Sequence, residues 1–231
     1  MSDVGWSEVE RALRRELVEA GRVLAAAELN AGFSGNMTAR LPDVEVLVTP
    51  SGRAKGDLRP DDIIRVRADG ERVGPGHGAV SSELAMHLAI YAAVPDVQAI
   101  VHAHPVTASA VALVEERVNL CITAEAAALL GPTVRVPYVR PGTAALGEAC
   151  AAAALLGPTL LLEHHGAVTT GHDVRDATAR METLEHVCRV WAAARALGAA
   201  HPLPDEESRA LRALFGYDAA LPVEVFRAGE E

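Results

Sequence analysis

Apolar residues recur at helical spacing near the start of the chain, at Val9, Leu13, Leu17, Val18, Val23 and Leu24, with charged residues between them and Ser7 placed to cap the first turn. The pattern predicts an opening amphipathic helix. The period breaks over residues 30–40, where small polar residues predict a loop, and a strand is expected over 44–49. Thr49-Pro50-Ser51-Gly52 is turn chemistry, and residues 58–67 read as a short turn running into a strand that ends at Asp69-Gly70. Residues 74–78 form a glycine-rich link. Helical spacing resumes at Ser81 and is closed by Pro95-Asp96, before an apolar strand over 99–104. Further on, the pattern predicts a helix over 106–114, a strand over 134–139 that runs into a Pro141-Gly142 turn, and an alanine-rich helix over 146–156. A strand over 159–162 follows, then a long helix over 173–197 stopped by Gly198, and a tail from 202 with a short helix and extended ends.

No repeat or linker interrupts this order, so one domain spanning 1–231 is expected. Strands and helices do not alternate as steadily as in a doubly wound fold, which favours a mixed sheet flanked by helices. Half of the residues are hydrophobic, yet only three Phe, two Trp and three Tyr are present, so packing must rely on Leu, Val and Ala. The formal charge is −10, and no basic block extends beyond Arg11, Arg14 and Arg15, which argues against a nucleic-acid partner. The first residues are acidic where a signal peptide is basic, and no apolar run approaches about 18–20 residues, so a cytoplasmic protein without membrane contact is expected. Cys121, Cys150 and Cys188 are far apart and form no CxxC pair, which predicts buried thiols and neither disulfides nor a thiolate metal site.

The candidate chemistry lies in histidines. On a strand, His102 and His104 face the same side, so both imidazoles can converge on one metal ion. A second strand ends in Glu163-His164-His165-Gly166, and only one of its adjacent histidines can reach that face. Three imidazoles with an open position make a catalytic zinc site. Ser81, Ser82 and Glu83 open a helix, where free N–H groups suit either an anion or an ordinary cap. Gly35-Asn36 and Ser51-Gly52 read as turns, and His87, four residues after Glu83, as a helix-surface residue.

Taken in order, Ser34-Gly35-Asn36 with Thr38 and Arg40, Thr49-Pro50-Ser51-Gly52, Ser81-Ser82-Glu83 with His87, Val101-His102-Ala103-His104 and Glu163-His164-His165-Gly166 resemble the class II aldolase/adducin family across roughly residues 10–200. The resemblance implies a three-layer α/β/α sandwich on a mixed, largely antiparallel sheet. It also implies a homotetramer with active sites at subunit interfaces and no nucleic-acid or membrane partner. It assigns His102, His104 and His165 to Zn2+, with Mn2+, Fe2+ or Co2+ also accepted, and leaves His164 outside the ligand set. Gly35, Asn36, Ser51, Gly52, Ser81 and Ser82 would hold a substrate phosphate, and Glu83 would be the acid/base. The activity implied first is cleavage of a ketose 1-phosphate of the L-fuculose 1-phosphate type to dihydroxyacetone phosphate and an aldehyde. The alternative is decarboxylation of an oxo-acid or aromatic acid on the same metal. Dehydration, epimerisation and a non-catalytic scaffold rank lower. The family's intersubunit tyrosine would fall near Thr123-Ala124-Glu125, where this chain has none. Either Glu125 or Tyr217 replaces it, or the reaction is not the aldol cleavage.

Overall fold

The computed structural model describes residues 5–43, 45–74, 77–218 and 220–227, so residues 1–4, Val44, the centre of the glycine-rich link at 75–76, Ala219 and the end of the tail lie outside the described residues. Helix α1 (Glu8–Ala26) starts where the sequence predicts, with the Ser7 hydroxyl accepting from the Glu10 amide at 3.1 Å. Its inner face carries Leu17, Val18 and Leu24, and also a buried ion pair in which Arg14 donates to Glu10 at 2.7 Å and to the Ile63 carbonyl at 2.6 Å.

Nine strands make one sheet, in the order β4-β3-β2-β1-β5-β8-β7-β6-β9. They are β1 (Asn36–Arg40), β2 (Val46–Val48), β3 (Ile64–Val66), β4 (Arg72–Val73), β5 (Ala99–Ala103), β6 (Thr133–Val136), β7 (Thr159–Leu162), β8 (Gly166–Gly171) and β9 (Phe226–Arg227). Only β6–β7 and β6–β9 pair in parallel; the other pairings are antiparallel. Alternation along the strands separates two cores. Met37, Ala39, Val101 and Leu161 face α1 and α6 (Val174–Leu197), whereas Val48, Ile100, Leu160 and Val168 face α2 (Leu84–Ala93) and α5 (Ala144–Ala154). The expected three-layer α/β/α sandwich is therefore the fold. Helices α2 and α5 pack closely at Gly147, where a Cβ would lie 3.2 Å from the Ala85 carbonyl oxygen and 3.3 Å from Ala89 Cβ.

The loop expected over 30–40 is in part a strand. Asn36–Arg40 is paired on both sides, to β2 and β5, and its sheet face toward α2 carries Asn36 and Thr38 in place of apolar residues. Both are buried because helix side chains satisfy them, and that tertiary compensation erased the period-two signal. Strand β8 is likewise absent from the hydrophobic pattern, since Gly-Ala-Val-Thr-Thr-Gly holds little bulk. Two short additional helices, α3 (Val106–Ala112) and α4 (Ala124–Leu129), and the tail helix α7 (Asp205–Leu214) complete the chain; α4 was not predicted. All three cysteines are free and buried. No helix among the described residues is long and apolar enough to cross a membrane.

Candidate metal centre and active site

Strand β5 is central in the sheet, and the antiparallel turn between β7 and β8 brings His165 alongside it. The register Ala103↔Ala167 puts the end of β5 against the start of β8, so His102, His104 and His165 converge on the α2 side. Their ring centroids lie 4.8 to 5.1 Å apart, and ligand atoms from the three lie within 4.8 Å of one another. His164 takes φ +57° and turns away, its ring edge-on to Tyr138 at 6.0 Å. The choice between the adjacent histidines thus falls on His165. Gly166 makes the convergence possible, because a Cβ there would lie 2.5 Å from the Ala103 carbonyl oxygen and 2.8 Å from His104 Cδ2.

The proton positions follow from the partners. His102 Nδ1 is 2.9 Å from the Ala167 carbonyl oxygen, which only accepts, so Nδ1 carries the proton and Nε2 of the neutral ring is a lone pair. That lone pair faces His104 Nε2 at 3.1 Å and Glu83 Oε2 at 3.3 Å, while Glu83 Oε1 lies 3.0 Å from His165 Nε2. Three imidazole nitrogens and a carboxylate facing one another form a cluster of electron-pair donors that a cation between them would stabilise. The donor set fits a divalent metal ion held by His102, His104 and His165, with the Ala167 carbonyl orienting the first ring. Burial pushes His104 down to about 4, so it is neutral and able to ligate at neutral pH.

Helix α2 starts at Leu84, three residues later than the sequence predicts, with Glu83 as its N-cap residue and Ser82 in the turn before it. Burial alone would raise the pKa of Glu83, but when His102 and His165 are protonated their hydrogen bonds and charge outweigh this and hold it well below the usual carboxylate range; a divalent ion on the same two rings would take over that role. Asn36 fixes Glu83 from below, Nδ2 donating to Oε2 at 2.9 Å. Asn36 therefore grips Glu83, where the resemblance had it holding a phosphate. One turn on, His87 is fully buried and not on the helix surface. Its Nδ1 meets Thr38 Oγ1 at 2.8 Å, which in turn meets the Tyr91 hydroxyl at 2.9 Å. Burial, and secondarily the charge of His102, pushes His87 down to about 3.

The turns named in the sequence gather at the same end of the sheet. Continuing the β1–β2 register sets Gly35-Asn36 opposite Pro50-Ser51, and the Ser51 amide donates to the Ala79 carbonyl at 2.9 Å, two residues before Ser81. Gly35 (φ +72°) is pressed against Asn30 and the His102 carbonyl, whereas Gly52 (φ +70°) has open space in front of it. The Ser81 hydroxyl accepts from the Glu83 amide at 3.3 Å, and Ser82 is exposed beside the Gly142 turn. Glu125 and Tyr217 are not brought to this site. Glu125 lines a groove against α6 with Glu182 and His186. The Tyr217 hydroxyl accepts from Arg180 at 2.8 Å, and Arg180 also bonds the Thr170 carbonyl, at the far end of β8 from Gly166. The sequence reading missed the Glu83–Asn36 contact and the burial of His87; the spacing of Glu83, His87 and Tyr91 at four-residue intervals was the available signal. A groove of about 610 Å3 between α1 and α6 contains none of these residues, so the chemistry and not the cavity marks the site.

Comparison with known proteins finds relatives over most of the chain. The family described as the class II aldolase and adducin N-terminal domain matches residues 15–192. A 3-oxo-tetronate 4-phosphate decarboxylase from Escherichia coli O6:H1 is 31% identical over 194 residues, covering 82% of this chain and 90% of that protein. A 5-methylthioribulose-1-phosphate/5-deoxyribulose-1-phosphate aldolase from Rhodospirillum rubrum is 35% identical over 218 residues, covering 91% of this chain and 96% of that one. The solved structure of an L-fuculose 1-phosphate aldolase superposes with a TM-score of 0.80 at 26% identity, covering 92% of this chain and 98% of that one.

Proposed function

This chain belongs to the class II aldolase and adducin family, and from that premise we propose that it is a metal-dependent decarboxylase of a phosphorylated 3-oxo acid of the 3-oxo-tetronate 4-phosphate type. His102, His104 and His165 hold the ion; three neutral imidazoles favour zinc, and manganese, iron or cobalt also suit them. A divalent ion bound there supplies Lewis-acid polarisation of the substrate carbonyl. Ser51, Gly52, Ser81 and Ser82, with the N-terminus of α2 behind them, bind the phosphate. Departure of carbon dioxide from C1 leaves its electron pair on C2, conjugated with the C3 carbonyl. Glu83 then relays a solvent proton to C2, which yields dihydroxyacetone phosphate. The same enediolate arises when a ketose 1-phosphate loses an aldehyde, which is why one site can serve both reactions.

The observation that carries the choice is that Glu83 is the one carboxylate among the described residues in contact with the triad. Decarboxylation needs a single proton transfer, to C2. Aldol cleavage needs two, because a base must also take the proton of the C4 hydroxyl, and neither Glu125 nor Tyr217 of the same chain is available for that. The ranking in the sequence reading therefore reverses, with ketose-phosphate cleavage second. The 35% identity to the deoxyribulose-phosphate aldolase supports that second reading. It would require a proton-transfer group from a neighbouring copy. A cytoplasmic homotetramer with interfacial sites accords with either reaction, and a sizing experiment tests the assembly.

The deciding experiment incubates zinc-loaded protein with 3-oxo-tetronate 4-phosphate and, separately, with 5-deoxyribulose 1-phosphate and L-fuculose 1-phosphate. Equimolar carbon dioxide and dihydroxyacetone phosphate from the first, with no aldehyde from the others, is the expected result. Aldehyde release from a ketose phosphate with no carbon dioxide from the oxo acid would sink the decarboxylase reading.

A further inference from the structure

The chain carries twenty arginines and a single lysine, Lys55. That lysine is 3% exposed. Its ammonium donates to the Phe33 carbonyl at 3.0 Å and to the Arg53 carbonyl at 2.9 Å, which uses two of its three protons. Buried Arg14 is paired with Glu10, but no carboxylate lies within ion-pair distance of Lys55 among the described residues. Burial pushes its pKa down to about 8, with no anion opposing the shift, and the group is still charged at neutral pH.

A buried cation without an anion is costly, and two carbonyl oxygens could be satisfied by a neutral amide. The location explains the charge. Phe33 precedes Gly35-Asn36 by two residues, and Arg53 follows Gly52 directly. The ammonium thus ties the loop that carries Asn36, the residue that grips Glu83, to the Ser51-Gly52 turn that faces the proposed phosphate. The clamp is built in from the other side too, since Gly21 of α1 abuts the Lys55 carbonyl so closely that a Cβ would strike it.

We propose that Lys55 is a positioning residue for the substrate phosphate: it fastens the Gly35-Asn36 loop to the Ser51-Gly52 turn and supplies the buried positive charge that a bound phosphate neutralises. The inference rests on the phosphate reading of the Ser51-Gly52 turn given above.

Two measurements test it on the full metal-loaded chain, with inorganic phosphate as the probe. Because Lys55 is the sole lysine, 13Cε-labelled lysine gives one side-chain NMR signal, and phosphate should shift it saturably in the wild type. Lys55→Gln keeps N–H groups for the two carbonyls but removes the charge. Calorimetry should show its phosphate affinity reduced by about tenfold or more. For a phosphorylated substrate, KM should rise by a similar factor while kcat stays within about twofold, a split that a general loosening of the fold would not give. Wild-type phosphate affinity in Lys55→Gln, or a lysine signal that ignores saturating phosphate, overturns the inference; if the variant does not fold, the wild-type signal decides. Failure of the underlying reading looks different: the wild type would then bind no phosphate, or bind it equally well after Ser82→Ala and Ser51→Ala.

Discussion

Replacing Gly166 with Ala should damage the metal centre without touching a ligand. The backbone there is not in the left-handed region, so the cost is steric. The added methyl would lie 2.5 Å from the Ala103 carbonyl oxygen and 2.8 Å from His104 Cδ2. Non-bonded heavy atoms are comfortable near about 3.5 Å, so both contacts are too short by about 0.7–1 Å. Neither neighbour can yield freely. Ala103 is held in the sheet between β1 and β8, and the His104 amide is fastened to the Leu29 carbonyl at 3.0 Å. Overpacking of this kind costs about 1–3 kcal/mol. In a chain of this size that lowers Tm by about 2–4 °C per kcal/mol. The larger effect falls on the ion, because metal-ligand constellations tolerate only about 0.5 Å of displacement. Moving the His104 ring further than that should weaken metal binding by about 10–100-fold, the range seen when the groups supporting a ligand are changed. Competition against a chromophoric chelator measures the affinity, and thermal unfolding of metal-free protein measures the packing cost separately. Gly52→Ala is the control: φ +70° makes it cost about 1 kcal/mol, but nothing lies within 4 Å of the added methyl, so metal affinity should not change. Wild-type metal affinity and Tm in Gly166→Ala would refute the steric account of how the turn sets the triad.

Glu83→Gln should keep the three imidazoles and the metal content while lowering kcat by about 10²–10⁴, checked by steady-state kinetics on metal-analysed protein; a loss under tenfold would remove Glu83 from the proton transfer. Arg14→Met leaves Glu10 in the core with Arg65 as its remaining partner and should cost about 1–3 kcal/mol, read from urea unfolding, with little change in metal affinity. His87 has a folded pKa of about 3 against 6.5 unfolded. The unfolded chain therefore binds the extra proton, and the stability present above pH 6.5 is lost as pH falls toward 3, by at most about 1.4 kcal/mol per unit. Unfolding curves for metal-free protein between pH 7 and 5 should show this slope diminished in His87→Gln, and an unchanged slope would contradict the burial of a neutral ring.

Elements whose evidence is local are legible in the amino-acid sequence. Ser7 caps α1, Gly198 ends α6, and the two-residue spacing of His102 and His104 is enough to put both rings on one face of a strand. Family resemblance added the third ligand and the layer architecture. Everything that depends on a distant partner was decided by tertiary structure. Asn36–Arg40 became a strand because Glu83, His87 and Tyr91 accept its polar face, and Gly166–Gly171 because β5 and β7 supply its hydrogen bonds. The physical reason for His165 over His164, which resemblance alone had supplied, is the turn geometry, and Lys55, which has the sequence context of any surface cation, lost its solvent when α1 closed over it. Burial of a polar group has no local signature, since its free energy is set by partners that the chain brings together only on folding.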